Sequence, residues 1–103
     1  MPTDTKSGAT PDRILRCGVV GVGRMGRHHA RVYSELPGVE LVGVVDASIE
    51  RAESIAETRN CRAFATEQEL LEAGVDAVSI AVPTTAHMKS AKPFLENKVA
   101  CLI

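Results

Sequence analysis

Gly21-Val22-Gly23-Arg24-Met25-Gly26 is a G-x-G-x-x-G run that directly follows an apolar stretch of the chain. The apolar stretch, residues 14–20, is predicted to form a strand, and residues 24–36 are predicted to form a helix. The run alone is a weak signal, because three glycines in six residues occur by chance in many loops. Strand, glycine turn and helix in this order, however, are typical of the first unit of a dinucleotide-binding fold.

Each glycine of the run has its own physical role in this interpretation. Gly21 allows a tight turn out of the strand, Gly23 lets the backbone approach a pyrophosphate, and Gly26 lets the helix lie close to the first strand. The N–H groups that open the helix lack intrahelical partners and carry partial positive charge, which a diphosphate would satisfy. Arg24 lies inside the turn and is the cation best placed to contact phosphate. The alternative is a glycine-rich turn that binds nothing.

An acidic residue ends the second predicted strand. Asp46 follows the apolar residues 39–45 and lies about twenty residues beyond the last glycine. A carboxylate in this position accepts hydrogen bonds from the adenosine ribose and repels a 2′-phosphate, so it favours NAD over NADP. Arg51, one helical turn further on, could turn towards a 2′-phosphate and moderate that preference. The alternative is that Asp46 only caps the next helix.

A second loop, Val82-Pro83-Thr84-Thr85-Ala86-His87, follows the fourth predicted strand. Ligands of parallel sheets bind beyond the carboxyl ends of the strands, so this loop is expected to face the cofactor. Pro83 stiffens the loop, Thr84 offers a hydroxyl, and His87 contacts either the cofactor or only local backbone groups. The predicted cofactor-binding residues are therefore Gly21, Gly23, Arg24, Met25, Gly26, Asp46, Arg51, Val82, Pro83, Thr84 and His87.

Strands and helices alternate at short intervals along the chain. Local signals mark several ends: Pro37-Gly38 ends the first helix, Thr66 opens a capping box, Gly74 ends the third helix, Thr84 or Thr85 caps the fourth, and Asn97 provides its left-handed exit. The pattern predicts strands at about 14–20, 39–45, 62–64, 77–82 and 99–103, and helices at about 24–36, 48–59, 67–73 and 85–96. With right-handed crossovers this is an α/β fold, a doubly wound, Rossmann-like parallel sheet of about five strands with helices on both faces.

Composition bounds the functions that the chain can have. With 103 residues, 45% hydrophobic and 24% charged, it can form one small globular domain. The net charge of −1 gives no basic field for nucleic acid or anionic membranes, and every apolar run is too short to span a bilayer. Residues 1–12 are small and polar and are expected to be a disordered leader, so the domain is predicted over residues 13–103. The widely spaced Cys17, Cys61 and Cys101 favour a reduced, cytoplasmic setting, with Cys17 and Cys101 as small buried hydrophobic residues.

The sequence offers no recognisable catalytic or metal-binding constellation. His28 and His29 are adjacent, so they point to different helix faces, and no Ser-His-Asp set, carboxylate pair or zinc-type spacing can be picked out. Arg27 and Arg31 are four residues apart and are predicted to form a solvated face. We therefore expect neither catalytic residues nor a metal site in this chain. Because the last predicted strand, 99–103, is apolar with nothing polar after it, the sheet is expected to be incomplete at its C-terminus and the chain to be a fragment.

Three segments, residues 17–29, 40–46 and 75–87, resemble the N-terminal half of the Gfo/Idh/MocA oxidoreductase family, which includes glucose-fructose oxidoreductase and inositol dehydrogenase. The resemblance runs from about residue 13 to residue 103. Its most particular part is V-D-A-V-x-I-x-x-P-T-x-x-H at residues 75–87, since many families share the glycine run. The resemblance implies NAD(P)-dependent hydride transfer between the nicotinamide C4 and a carbinol carbon of a sugar or polyol. The glycine turn looks closest to members that act on nucleotide-activated sugars.

The chain also departs from the family's pattern. In the family the closing strand leads into an E-K-P motif whose lysine helps catalysis, and a second domain carries acid–base residues and a large sheet; this sequence stops at Ile103. The resemblance thus implies a cofactor-binding half that is inactive alone, with the sugar-type substrate and a homo-oligomeric state belonging to the longer protein. Relatives usually have an aromatic-glycine turn where this sequence has residues 58–62, so the sequence does not predict how the second helix ends. Two alternatives are a stand-alone dinucleotide-binding module and another Rossmann use, such as an S-adenosylmethionine-binding domain.

Overall fold

The computed structural model describes residues 14–103, and the segment 1–12 that was expected to be a leader lies outside them. The strands are β1 (Leu15–Val20), β2 (Val39–Val45), β3 (Arg62–Phe64), β4 (Ala77–Ile80) and β5 (Ala100–Leu102). The helices are α1 (Arg24–Glu35), α2 (Ile49–Arg59), α3 (Glu67–Ala73) and α4 (His87–Glu96), and a short 3₁₀ turn occupies Thr84–Ala86. The order of elements is the predicted one. The largest differences are that β4 ends two residues early, which leaves Val82 in the loop, and that α4 begins two residues late.

The five strands form one parallel sheet in the order β3-β2-β1-β4-β5. Side chains of α1 and α2 pack on one face, and those of α3 and α4 pack on the other. The chain therefore reverses its direction across the sheet at β1, and a crevice opens between the carboxyl ends of β1 and β4. This confirms the doubly wound parallel fold, and it places the glycine run at the reversal point.

Both faces of the central strand β1 are buried over its last four residues, 17–20. Val19 packs with Ala30 of α1 and Ile55 of α2, whereas Val20, the next residue, packs in the cluster that contains Phe94 of α4. The turn that leaves the carboxyl end of β1 therefore starts from a strand end that is buried on both faces.

Most of the local start and stop signals act as predicted. The Thr66 hydroxyl accepts a hydrogen bond from the Glu69 N–H at 3.2 Å, and the Glu69 carboxylate accepts one from the Thr66 N–H at 3.3 Å. This confirms the capping box that opens α3. Gly74, with φ of +91°, ends α3, and Gly38, with φ of +78°, follows the end of α1. Asn60 adopts a left-handed conformation at the exit of α2, which the sequence had left open.

The predicted caps of the fourth helix are wrong at its start. Neither Thr84 nor Thr85 caps α4; both lie in the 3₁₀ turn, and Ala86 occupies the N-cap position. Pro83 is held in an extended conformation, and its carbonyl accepts a hydrogen bond from the Ala86 N–H at 2.8 Å. This tight turn satisfies backbone groups that a threonine cap would otherwise serve, so the α-helix starts later.

The predicted left-handed exit of the fourth helix is wrong by one residue. Asn97 has φ of −108°, and Lys98 is the residue with positive φ, at +62°. The Asn97 side-chain amide donates to the Pro93 carbonyl at 2.8 Å. That bond satisfies one of the last carbonyl groups of the helix and holds Asn97 in a conformation with negative φ. The left-handed residue is therefore Lys98.

The cysteines have different degrees of burial. Cys17 is buried in β1 as predicted, whereas Cys61 and Cys101 are half-buried, and all three are free thiols. Cys101 packs against the core from the edge strand β5, which bears out its apolar role only in part. Among residues 14–103, no helix is long and apolar enough to cross a membrane.

Candidate cofactor site

Gly21 makes the turn at the carboxyl end of β1. Its φ is +89°, and a Cβ added to it would lie 2.8 Å from the carbonyl oxygen of Ala81, just beyond β4. Its N–H donates to the Val45 carbonyl at 2.7 Å. Both the backbone conformation and the lack of space thus require glycine. The turn is clamped between the ends of the two neighbouring strands.

Gly26, in the first turn of α1, sits directly against that turn. A Cβ added to Gly26 would overlap the carbonyl oxygen of Gly21, and Gly26 is buried. Helix α1 therefore packs on the glycine turn itself, which refines the close approach predicted from the sequence. The first turn of the helix is held against the end of the sheet.

Gly23 differs from Gly21 and Gly26 because no atom around it requires a glycine. A Cβ added there meets no atom of the described chain within 4 Å, and its φ of −70° lies outside the left-handed region that favours glycine. It is the N-cap of α1, and the first turn that follows contains no acidic residue. The space beside Gly23 at this helix start is thus open, as a bound diphosphate would need.

Asp46 lies behind the turn rather than in solvent, with an exposed fraction of 9%. One carboxylate oxygen accepts from the Val22 N–H at 3.0 Å. The other accepts from the Ser48 N–H at 2.9 Å and from Nη1 of Arg51 at 3.3 Å. Asp46 therefore ties the glycine turn to the start of α2, so helix capping is only part of its role.

Arg51 and the glycine turn line a cavity of about 390 Å³ between α1 and α2. The residues around it are Val22, Gly23, Arg27, Arg51, Ser54 and Ile55. Arg27 is exposed, as expected for a solvated face, but its place in this wall was not predicted. The available signal was its position four residues after Gly23, which puts both on one side of the helix. The cavity therefore has two arginines at its wall and the Asp46 carboxylate beside it.

A second cavity, of about 430 Å³, lies on the other side of the turn, at the carboxyl ends of β4 and β5. It is lined by Met25, His29, Ile80, Ala81, Val82, His87, Leu102 and Ile103. The structure thus brings three predicted residues together: Met25 of α1, Val82 of the loop after β4, and His87 of α4. It also adds side chains from α1 and β5 that the sequence did not single out. Most of this lining is apolar.

Three predicted residues, Arg24, Pro83 and Thr84, are exposed and line neither of these two cavities. His87 is oriented by the local backbone, since its Nε2 lies 2.9 Å from the Val82 carbonyl oxygen and must therefore carry a proton. Nδ1 of His29 is buried and has no hydrogen-bond partner within residues 14–103. Over the same residues, no cluster of His, Cys, Asp and Glu side chains is arranged to hold a metal ion.

The comparisons with known proteins agree with this geometry. Residues 15–103 match the sequence model of the Gfo/Idh/MocA family, described as an oxidoreductase family with an NAD-binding Rossmann fold. The chain belongs to the Gfo/Idh/MocA oxidoreductase family. The matched range contains both cavities, the glycine turn and Asp46, so the site described above lies wholly in the part that this family shares.

Two relatives illustrate the match. The chain is 45% identical over 89 residues to a UDP-N-acetylglucosamine 3-dehydrogenase of Acidithiobacillus ferrooxidans, covering 86% of this chain and 28% of that protein. A solved structure of that enzyme superimposes with a TM-score of 0.80. A myo-inositol dehydrogenase from Lactobacillus casei, solved in complex with NAD(H) and myo-inositol, has 28% identity and a TM-score of 0.78, over 85% of this chain and 27% of its own. The Gfo/Idh/MocA chain described here thus spans little more than a quarter of the length of these relatives.

Proposed function

We propose that this chain is the NAD(H)-binding part of a dehydrogenase that transfers hydride between nicotinamide and a hydroxyl-bearing carbon of a sugar, polyol or nucleotide sugar. The observation that carries the proposal is the contrast within the glycine turn. Gly21 and Gly26 are glycine because the protein itself leaves no space, whereas the space over Gly23 is open. An open approach at a helix start suits a diphosphate.

The diphosphate is assigned to the backbone N–H groups of residues 23–26, with Arg24 as the exposed cation beside them. The adenosine ribose is assigned to Asp46. A carboxylate has about four lone-pair sites, and three hydrogen bonds from the chain reach Asp46, so one site remains for a ribose hydroxyl. Arg51 can release a further site, because 57% of its side chain is exposed to water. The negative charge of Asp46 favours NAD over NADP.

The nicotinamide end is assigned to the apolar cavity that Met25, Val82 and His87 line. NAD(H), when bound, supplies the hydride acceptor or donor. The residues of this chain bind and orient the ring, and their apolar surface excludes water from one side of it. His87 keeps a fixed orientation through its bond to the Val82 carbonyl, and Pro83 and Thr84 form the outer rim.

The substrate class we propose for the full-length protein is a nucleotide-activated sugar. Its support is the 45% identity to an enzyme named for UDP-N-acetylglucosamine, which exceeds the 40% identity to a scyllo-inositol 2-dehydrogenase (NAD(+)) of Bacillus subtilis. In this proposal the present chain binds cofactor without turnover, and catalytic groups come from the remaining length seen in the relatives. The free thiols suit a reduced, cytoplasmic setting.

The proposal is tested by titrating NADH and NADPH into the purified chain and its Asp46→Ala variant by calorimetry. A charge-assisted hydrogen bond contributes about 1.5–3 kcal/mol, so NADH is expected to bind about ten- to a hundredfold more weakly, with a smaller change for NADPH. Glu53→Ala, which removes an exposed carboxylate from α2, is the matched control and should leave both affinities unchanged. An unchanged NADH to NADPH ratio in a folded Asp46→Ala sample would show that Asp46 does not contact the ribose.

A further inference from the structure

His29 carries a buried polar atom that the folded domain does not satisfy. Among the side chains of residues 14–103, its Nδ1 is the only buried nitrogen or oxygen atom without a hydrogen-bond partner. A buried polar atom that stays unpaired lowers the stability of the folded state. The presence of histidine here, where an apolar side chain would avoid that loss, indicates that the ring has a use outside the packing of the domain.

The His29 ring lies in the wall of the cavity assigned to the nicotinamide end of the cofactor. It reaches this wall from α1, whereas His87 reaches it from the first residue of α4. The other lining residues are all apolar: Met25, Ile80, Ala81, Val82, Leu102 and Ile103. The two imidazoles are thus the polar side chains of this wall, and in a largely apolar cavity such groups fix the orientation of a ligand.

The two rings offer opposite hydrogen-bonding groups. The Nε2–H of His87 donates to the Val82 carbonyl at 2.9 Å, so its Nδ1 is an acceptor in the neutral ring. In His29, a proton on the buried Nδ1 would have no acceptor, and a buried N–H without an acceptor is rarer in proteins than an unpaired lone pair. The proton of neutral His29 therefore belongs on Nε2, which is not buried and has no partner in the described part of the chain.

We propose that His29 is a positioning residue for the nicotinamide ring, whose carboxamide oxygen accepts from Nε2–H of His29 while the carboxamide N–H donates to Nδ1 of His87. This inference rests on the proposed function, because it requires the nicotinamide to lie in this cavity. A primary carboxamide carries an acceptor oxygen and an N–H donor on the same carbon, so it matches a wall with one donor and one acceptor. Holding both groups fixes which face of the ring lies against the wall and which face is open to substrate.

The first experiment compares NADH with ADP-ribose, which lacks the nicotinamide, by calorimetry on the purified chain. His29→Phe keeps an aromatic ring but removes the donor, so NADH should bind about two- to tenfold more weakly, the loss of one neutral hydrogen bond. The affinity for ADP-ribose should not change. His29→Gln retains a side-chain N–H donor and should recover part of the loss for NADH. The matched control is His28→Phe, because His28 is the exposed neighbour on α1 and its Nδ1 lies 3.1 Å from Nη2 of Arg31.

The second experiment uses the 3-acetylpyridine analogue of NADH, which keeps the carbonyl oxygen but lacks the amide N–H. Wild type should bind it about two- to tenfold more weakly than NADH, because His87 loses its donor. His29→Phe should weaken both dinucleotides by the same factor, since the oxygen that His29 binds is present in each. Equal affinities of wild type for the two dinucleotides would contradict the acceptor role of His87.

Stability gives a readout that separates this role from a packing role. His29→Phe removes the unpaired buried nitrogen, so the variant should melt at or above the melting temperature of wild type, measured by circular dichroism. A clear fall in melting temperature would contradict this explanation of Nδ1 and show that the imidazole serves the folded core.

The outcomes also separate this inference from the proposed function. If NADH binds to wild type but His29→Phe leaves its affinity unchanged, weakens NADH and ADP-ribose equally, or is matched in its loss by His29→Gln, the role of His29 is refuted and the cofactor site stands. If a folded wild-type chain binds neither NADH nor ADP-ribose, both proposals fail together. A loss confined to the nicotinamide-bearing ligands, partly restored by glutamine, supports the positioning role.

Discussion

The sharpest structural prediction concerns Gly23→Val and its matched variant Gly26→Val, which place the same side chain three residues apart. At Gly23 the added Cβ meets no atom within 4 Å. Replacing glycine at this N-cap costs up to about 1 kcal/mol. The added side chain also restricts the unfolded chain, which stabilises the folded state by about 0.4–1 kcal/mol. We therefore expect the melting temperature of Gly23→Val to stay within about 8 °C of wild type.

At Gly26 the added Cβ overlaps the backbone carbonyl of Gly21, which no side-chain rotation can relieve. The turn or helix α1 must move. Overpacking of this kind costs about 1–3 kcal/mol, and a β-branched residue within the helix adds to it. Gly26→Val is thus expected to lose at least about 3 kcal/mol of unfolding free energy and to melt more than about 12 °C below wild type.

The two variants should separate folding from binding. In Gly23→Val the isopropyl group occupies the approach to the helix N–H groups, and losing two charge-assisted bonds of about 1.5–3 kcal/mol each weakens NADH at least about a hundredfold. Thermal unfolding followed by circular dichroism gives the stability, and calorimetry gives the affinity. A folded Gly23→Val variant that binds NADH as well as wild type would refute the placement of the diphosphate.

Two further predictions concern groups outside the cofactor site. The Tyr33 hydroxyl lies 2.6 Å from the buried Ser79 hydroxyl, so Tyr33→Phe should lower the unfolding free energy by about 1–3 kcal/mol in urea denaturation. The double variant Tyr33→Phe/Ser79→Ala should recover part of that loss, because neither hydroxyl is then left without its partner. Strictly additive losses would contradict this pairing. Burial raises the pKa of the Cys61 thiol from 9.0 to about 11, so the unfolded chain loses this proton first as the pH rises. The stability that Cys61 contributes is thus fully present below pH 9 and is lost by about pH 11. Wild-type stability should fall more steeply over that range than stability of Cys61→Ala, and equal slopes would refute the shift.

The features that were predicted correctly depend on short-range chemistry. The glycine turn, the capping box at Thr66 and the buried strands β2 and β4 follow from backbone freedom, local hydrogen bonds and the apolar run of each of these two strands, whereas the apolar edge strand β5 is largely exposed. Asp46 was expected at the end of β2 for the same reason. Each of these signals comes from residues that are close together in the sequence, so it does not depend on how distant elements pack.

The features that were missed depend on how separate elements pack. Arg27 enters the cavity wall only because α2 lies beside α1, and a helix's partner cannot be read from its own periodicity. The late start of α4 arises because the Pro83 carbonyl takes the Ala86 N–H, a competing local bond. The bonds that bury Asp46 come from Val22 and Ser48 in two different loops, so its partners became visible only when the sheet was assembled.

The central claim, that this chain binds a nicotinamide dinucleotide at the glycine turn, is tested most directly by ¹H–¹⁵N NMR of the labelled chain titrated with NADH. We expect saturable shifts of the backbone signals of residues 22–26 and Asp46, smaller shifts at residues 80–82, and none of comparable size with S-adenosylmethionine. A well-dispersed spectrum that does not change with either NADH or NADPH, or that responds only to S-adenosylmethionine, would contradict the claim.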